Sequence, residues 1–294
     1  MNGFYLHKIA IVGVGLIGGS FALALKRAGV VARVSGWDAD RNNLHLAHEL
    51  QVIDQLPFTL AQAVDGAELV MLAVPVGAME SAAREVIPLM ASGAILTDSG
   101  SVKQCVVECL EPLALQHGVR YVAGHPISGT ERSGASAAFA ELYQGKRCIL
   151  TPTAQSDAAA LDTVTLAWQA AGSEVVTMDV LKHDRILAAI SHLPHMIAYS
   201  LVNSVSDYDR YDENILDYSA GGFRDFTRIA SSDPIMWRDI ALTNKDSLIE
   251  MIDQFEEFLG ELKNDIQQAD GERLYEFFRR SKITRDALLK PKVR

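Results

Sequence analysis

The chain has 294 residues, with 37 acidic against 27 basic side chains and a formal net charge of -10. That balance argues against a protein built to grip a phosphate backbone or an anionic membrane, both of which need a dense basic face, although a few arginines can still make one cleft positive for a small anion. At 49% hydrophobic and 22% charged residues there is enough apolar side chain for a buried core, and the length suits one large domain or two ordinary ones.

Short β-rich apolar runs at Lys8–Val12, Val34–Trp37, Leu69–Val74, Ala94–Thr97, Tyr121–Ala123 and Cys148–Leu150 alternate with longer helix-like stretches. Glu174–Met178 reads as a last strand. The alternation predicts βαβ units in a mostly parallel, doubly wound sheet, an α/β Rossmann-type domain over residues 1–178. From Asp179 the rhythm stops, and residues 179–294 read as an all-α domain. There Ile240, Leu248, Ile252, Phe255, Leu259, Leu262 and Ile266 recur at helical spacing. They predict one apolar stripe on a long helix, buried against a partner helix or a second subunit.

Cys105, Cys109 and Cys148 are too few for a disulfide framework and point to a reducing compartment. A glycine-rich motif beginning at Gly13 leaves no room for a cleavable leader. The longest apolar runs, about ten residues, are too short to span a bilayer. A cytoplasmic chain is expected, with neither nucleic acid nor membrane as partner.

Gly13-Val14-Gly15-Leu16-Ile17-Gly18 follows the first strand and precedes a helix-like stretch at Ser20–Ala28. In this context Gly13 allows a tight turn, Gly15 lets the backbone approach a pyrophosphate, and Gly18 lets helix and strand pack closely. Asp38 lies twenty residues after Gly18 at the end of the second strand, where a carboxylate can accept hydrogen bonds from the adenosine ribose. It favours NAD. Arg41 could accommodate the extra phosphate of NADP or be a solvated residue at a helix start. Leu16, Ile17, Val74 and Pro75 complete the expected cofactor-binding set, with Ser101 beside it.

Two further loops end strands: Asp98–Lys103 and Gly124–Gly134. Pro126 holds His125 extended at the end of a buried strand, in a glycine- and hydroxyl-rich loop suited to general acid–base work. Ser101 could cap the next helix or touch substrate. In the helical half, His192 and His195 share a helical face, but there is no HExxH pattern and no third ligand, so no metal site is expected. Asp225 and Arg228, read as helix, lie three apart. They form a local ion pair, or Asp225 orients Arg228 for an anionic substrate.

Together GVGLIGGS at Gly13–Ser20, DSGSVK at Asp98–Lys103, GHPISGTERSG at Gly124–Gly134, SHLPH at Ser191–His195 and GGFRDFTRIASSDPIMW at Gly221–Trp237 resemble the prephenate/arogenate (cyclohexadienyl) dehydrogenase family. The resemblance implies NAD(P)-dependent oxidative decarboxylation of prephenate to 4-hydroxyphenylpyruvate, or of arogenate to tyrosine. It implies His125 as the group that draws off the ring 4-hydroxyl proton, with Ser101 holding that hydroxyl. Arg228 would bind the ring carboxylate, and His195 would lie near the substrate side chain, mildly favouring prephenate. Thr130, Glu131, Gly221 and Trp237 would line or gate the pocket. It also implies that the helical domain binds substrate and pairs the chain as a homodimer. Two other readings stay open at this level. One is a β-hydroxyacid dehydrogenase or imine reductase, whose lysine–asparagine pattern Asn244-Lys245 meets poorly. The other is a non-catalytic NAD-responsive dimeric binding protein.

Overall fold

The structure, a computed structural model, describes residues 3–130, 132–209 and 215–289. The apolar runs of the first half become strands β1 (Leu6–Val12), β2 (Val31–Trp37), β3 (Leu69–Leu72), β4 (Ile95–Asp98) and β5 (Arg120–Val122). They form one parallel sheet in the order β2-β1-β3-β4-β5. Its connections are α1 (Leu16–Ala28), α2 (Arg41–Glu49), α3 (Leu60–Val64), α4 (Val76–Val86) and α5 (Gln104–Gln116). Helices on both faces bury β3 and β4 throughout, which is why β3 reads as a continuous apolar run. One core gathers Phe21, Leu25, Tyr143 and Trp168, another Leu72, Met79, Leu96 and Leu110, and a small third one Val102, Trp237 and Ile240. Chain order reverses between β1 and β3, and the crevice beyond the carboxyl ends of strands at such a point is where open α/β sheets bind ligands.

The later strands depart from the single-sheet expectation. β6 (Gly124–Pro126), β7 (Arg147–Leu150) and β8 (Glu174–Thr177) form a separate three-stranded sheet, with β6 antiparallel to β7 and β7 parallel to β8. His125 therefore sits in a strand, opposite Ile149, and not in a loop. The reason lies at Gly124. Its N–H donates to Asp98 Oδ2 at 3.3 Å and its carbonyl accepts Lys103 Nζ at 2.8 Å, so side chains take the backbone groups and the chain leaves the first sheet. α6 (Ala158–Ala170) joins β7 to β8.

Beyond β8 the chain is helical: α7 (Val180–Leu187), α8 (Leu193–Asp209), α9 (Gly221–Thr227), α10 (Pro234–Thr243), α11 (Lys245–Gln267) and α12 (Gly271–Leu289). A π-helical turn, Ala188–His192, runs from α7 into α8. The run Val180–Tyr208 is long and apolar enough by length and composition to cross a membrane, at mean hydropathy 1.2. Its His183, Asp184 and His192 are buried on protein hydrogen-bond partners.

By contacts the chain divides into Met1–Lys245 and Asp246–Arg294. This division keeps α7–α10 in one unit with the sheets, α7 against α5 and α10 against α4, whereas the composition changes from α/β to all-α near residue 178. In the second unit the Arg280 guanidinium lies over the Phe258 ring at 5.7 Å. The predicted stripe is broken. Ile240 belongs to α10, Asn244 ends that helix, and the remaining positions lie on α11, where Leu259 and Ile266 are exposed in the single chain.

Candidate active site

The glycine loop between β1 and α1 sets the first half of the site. Gly13 has φ +93, and a Cβ there would lie 2.4 Å from Ala73 O. A Cβ on Gly18 would lie 2.3 Å from Gly13 O. Both positions therefore demand glycine for the fold itself. Gly15 differs: a Cβ would meet nothing within 4 Å. It is the N-cap of α1, and no side chain caps that helix. Gly13, Gly15, Asp38, Val74 and Pro75 line one cleft of about 470 Å³ together with Trp37. An open, uncapped helix start above a cleft ending at an aspartate fits the pyrophosphate and ribose of a dinucleotide. Leu16, Ile17 and Gly18 form the first turn behind it, and Tyr143 Oη pins Ile17 by donating to its carbonyl at 2.6 Å.

Asp38 also holds the loop in place. Its Oδ2 accepts Val14 N–H at 2.9 Å and Asn43 Nδ2 at 3.0 Å. Asn43 Nδ2 donates in turn to Val14 O, and its Oδ1 accepts Ala135 N–H at 2.8 Å. Arg41 does not line the cleft. Its guanidinium lies over the Trp37 ring at 4.4 Å and donates to Pro57 O and Phe58 O at 3.2 and 2.7 Å. Gly15→Ala is expected to leave the melting temperature unchanged while weakening dinucleotide binding at least tenfold, about 1.4 kcal/mol. Gly13→Ala should lower the melting temperature. Equal melting losses in both variants would contradict this division.

The second half is a buried polar network under the DSGSVK segment. Asp98 and Lys103 are fully buried and form an ion pair. Asp98 also accepts from Gly100 N at 2.7 Å and Tyr121 Oη at 2.7 Å. Burial, then the Asp98 charge, raises the Tyr121 pKa well above its usual value, which keeps that phenol a donor. Ser101, half-buried, makes no side-chain hydrogen bond among the described residues. It does not cap α5, whose N-cap is Lys103. The first N–H groups there, on Lys103 and Gln104, go instead to Asp184 of α7, both at 2.8 Å.

His125, 8% exposed, places Nδ1 2.8 Å from His183 Nε2, and His183 Nδ1 is 2.7 Å from Asp184 Oδ1. Burial, then the charges of His183, Lys103 and His192, lowers the His125 pKa well below its usual value. The imidazole is therefore neutral near pH 7 and able to accept a proton.

The SHLPH residues meet the last motif. The His195 ring stacks on Trp237 at 3.7 Å between centroids, and its Nδ1–H donates to Ser191 O at 2.8 Å. Burial first, and the nearby Arg228 cation as a smaller cause, lower the His195 pKa. Arg228 is exposed and starts a 3-10 turn after α9 ends at Thr227, so Asp225 and Arg228 do not share one regular helix. Gly221, Asp225 and Thr130 are exposed, and Glu131 lies outside the described residues. Tyr199 Oη ties the Arg228 turn to α8 by donating to Ser232 O at 2.7 Å. Asn244 donates its amide to Asp184 O at 2.9 Å and lies 3.1 Å from His192 Nδ1, and this occupies the asparagine of the lysine–asparagine alternative. Among the described residues no group of three His, Cys, Asp or Glu side chains could hold a metal ion.

Burial lowers the pKa of His125, His183, His192 and His195 alike, for His192 to about 4. A histidine held neutral in the fold contributes stability that is complete above its unfolded pKa of about 6.5 and is lost as pH falls from there toward the folded value. His192 alone then removes about 2 kcal/mol at about pH 5. The melting temperature should fall between about pH 7 and about pH 5, and less steeply in His192→Gln. A flat profile would contradict the assignment.

Reasoning from sequence missed Asn43, Asp98, Lys103, His183 and Asp184. Asp98 and Lys103 bound the DSGSVK motif. His183-Asp184 lay in an unremarkable helical stretch and had no local signal.

Two family models match: "Prephenate dehydrogenase, nucleotide-binding domain" over residues 21–177 and "Prephenate dehydrogenase, dimerization domain" over residues 179–280. The chain is 40% identical to the cyclohexadienyl dehydrogenase of Zymomonas mobilis, over 95% of each chain. It is 35% identical to the prephenate dehydrogenase of Bacillus subtilis, over 95% of this chain and 76% of that one. Among solved structures it is similar to the prephenate dehydrogenase of Aquifex aeolicus in complex with hydroxyphenyl propionate and NAD+. The TM-score is 0.92 at 38% identity, covering 98% of this chain and all of that one.

Proposed function

The chain belongs to the prephenate dehydrogenase family, and from that premise we propose that it converts prephenate to 4-hydroxyphenylpyruvate and carbon dioxide with NAD as oxidant. The observation that carries the chemistry is His125, a buried imidazole kept uncharged at the carboxyl end of the parallel sheet. NAD, held by the glycine loop, Asp38, Val74 and Pro75, supplies the acceptor for the hydride that leaves ring C4. His125 takes the 4-hydroxyl proton, which raises electron density at C4 as the C4–H bond breaks. Ser101 holds that hydroxyl. The bond from ring to carboxylate then breaks, its electron pair completes the aromatic ring, and carbon dioxide departs.

Arg228 binds the ring carboxylate through its guanidinium, which matches a carboxylate in two parallel hydrogen bonds. Its exposed position suits a group that orients the carboxylate without trapping it, since tight ground-state binding would slow its loss. Arg228→Gln should raise KM for prephenate about tenfold or more with a smaller change in kcat. An unchanged KM would remove Arg228 from this role. His195, stacked on Trp237, faces the substrate side chain in this reading.

The functional division lies near residue 178. The helical half pairs two copies as a homodimer through the α11 face bearing Leu259 and Ile266, and the enzyme works in the cytoplasm. Sedimentation as a monomer would overturn the dimer. The deciding assay follows cofactor reduction with prephenate and with arogenate, each with NAD and NADP. Reduction of NAD by prephenate is expected, and no reduction in any combination would overturn the proposal.

A further inference from the structure

The hydrogen bonds behind His125, which begin at Asp184, determine where its protons sit. The two oxygens of that carboxylate accept Lys103 N–H and Gln104 N–H, both at 2.8 Å. Backbone N–H groups can only donate, so both oxygens are acceptors. His183 Nδ1, 2.7 Å from Oδ1, must therefore carry the proton in that bond. A neutral His183 then presents a bare lone pair at Nε2, 2.8 Å from His125 Nδ1. That contact is a hydrogen bond only if His125 Nδ1 is protonated, and this leaves His125 Nε2 without a proton.

We propose that His183 and Asp184 are positioning residues that hold His125 in its Nδ1–H tautomer, so that Nε2 is the atom that receives the substrate proton. The proposal rests on the reading of His125 as the base. His183 is fully buried and Asp184 2% exposed, so water does not compete for these bonds. Burial lowers the His183 pKa against the opposing pull of Asp184, which keeps it neutral near pH 7. No described residue hydrogen-bonds to His125 Nε2.

Three elements fix the arrangement: β6 carries His125, α7 carries His183 and Asp184, and Asp184 takes the first N–H groups of α5. The buried Lys103 cation opposes a positive charge on His125. Once Nε2 is protonated, the hydrogen bond to His183, backed by the Asp184 carboxylate, offsets part of that opposition.

Imidazole nitrogen NMR on isotope-labelled protein near pH 7 reads the tautomer without turnover. His125 is expected to show a protonated Nδ1 and a bare Nε2. Finding the proton on Nε2 in the unsubstituted protein overturns the proposal, whatever any variant does. In His183→Leu the tautomers should mix and kcat should fall about 10- to 100-fold, with KM for prephenate and the Kd for NAD little changed. His183→Gln, whose Oε1 can accept where Nε2 did, should restore the Nδ1–H form and most of kcat. A folded His183→Leu with native kcat overturns the positioning role while the base assignment stands. Full activity in His125→Asn would overturn the base assignment instead, and the tautomer signal distinguishes the two failures.

Discussion

Replacing His125 by asparagine is expected to lower kcat by about two to four orders of magnitude, the range spanned by general acid–base catalysis, and to leave NAD affinity essentially unchanged. The asparagine amide can occupy the place of Nδ1 and still donate to His183 Nε2, so the buried contact at 2.8 Å survives. It has no atom at the position of Nε2, and the proton acceptor is lost. NAD affinity should hold because the cleft lined by Gly15 and Asp38 does not include His125. Turnover followed by absorbance of the reduced cofactor, with NAD binding by calorimetry, separates the two effects. Near-normal turnover would end the assignment of His125 as base.

The largest loss of stability is expected from Lys103→Met. The Lys103 ammonium is wholly buried, pairs with Asp98 and donates to Gly124 O at 2.8 Å. Removing the cation leaves the Asp98 carboxylate buried with only neutral donors, and breaking such a pair from one side costs about 3–5 kcal/mol. It also releases Gly124, so β6 and the adjoining His125 should lose their fixed position. Urea denaturation should show the midpoint falling at constant slope. A loss below about 1 kcal/mol would class the pair with exposed ion pairs. Replacing both partners by apolar residues should recover only part of the loss: no unpaired charge then remains, but Gly100 N–H, Gly124 N–H and Tyr121 Oη lose their acceptor.

What could be read before the fold was known follows physical range. Gly13 and Gly18 were legible because their demand is local: a turn of positive φ and a close helix–strand approach leave glycine as the residue that fits. The strands were legible because burial on both faces writes a continuous apolar run. The short strand at Gly124–Pro126 was not. Its glycine and proline are turn residues by propensity, and it is a strand because Asp98 and Lys103 capture the backbone at Gly124. Ser101 shows the same limit from the other side. A serine ahead of a helix is a reasonable cap by local rules, yet Asp184, more than eighty residues on, takes that task.

Sequence alone thus determined the dinucleotide half of this protein, from periodicity and from glycines whose role is set by their immediate neighbours. It also placed His125 and Arg228 in motifs that mark the family. The tertiary structure decided the electrostatics of the site: which carboxylate faces Lys103, which nitrogen of His125 is bound, and why four histidines are held neutral. Hydrogen bonding and desolvation act between side chains that touch in space, and the pairs His125–His183 and Lys103–Asp184 touch only once α7 has packed beside β6 and the start of α5.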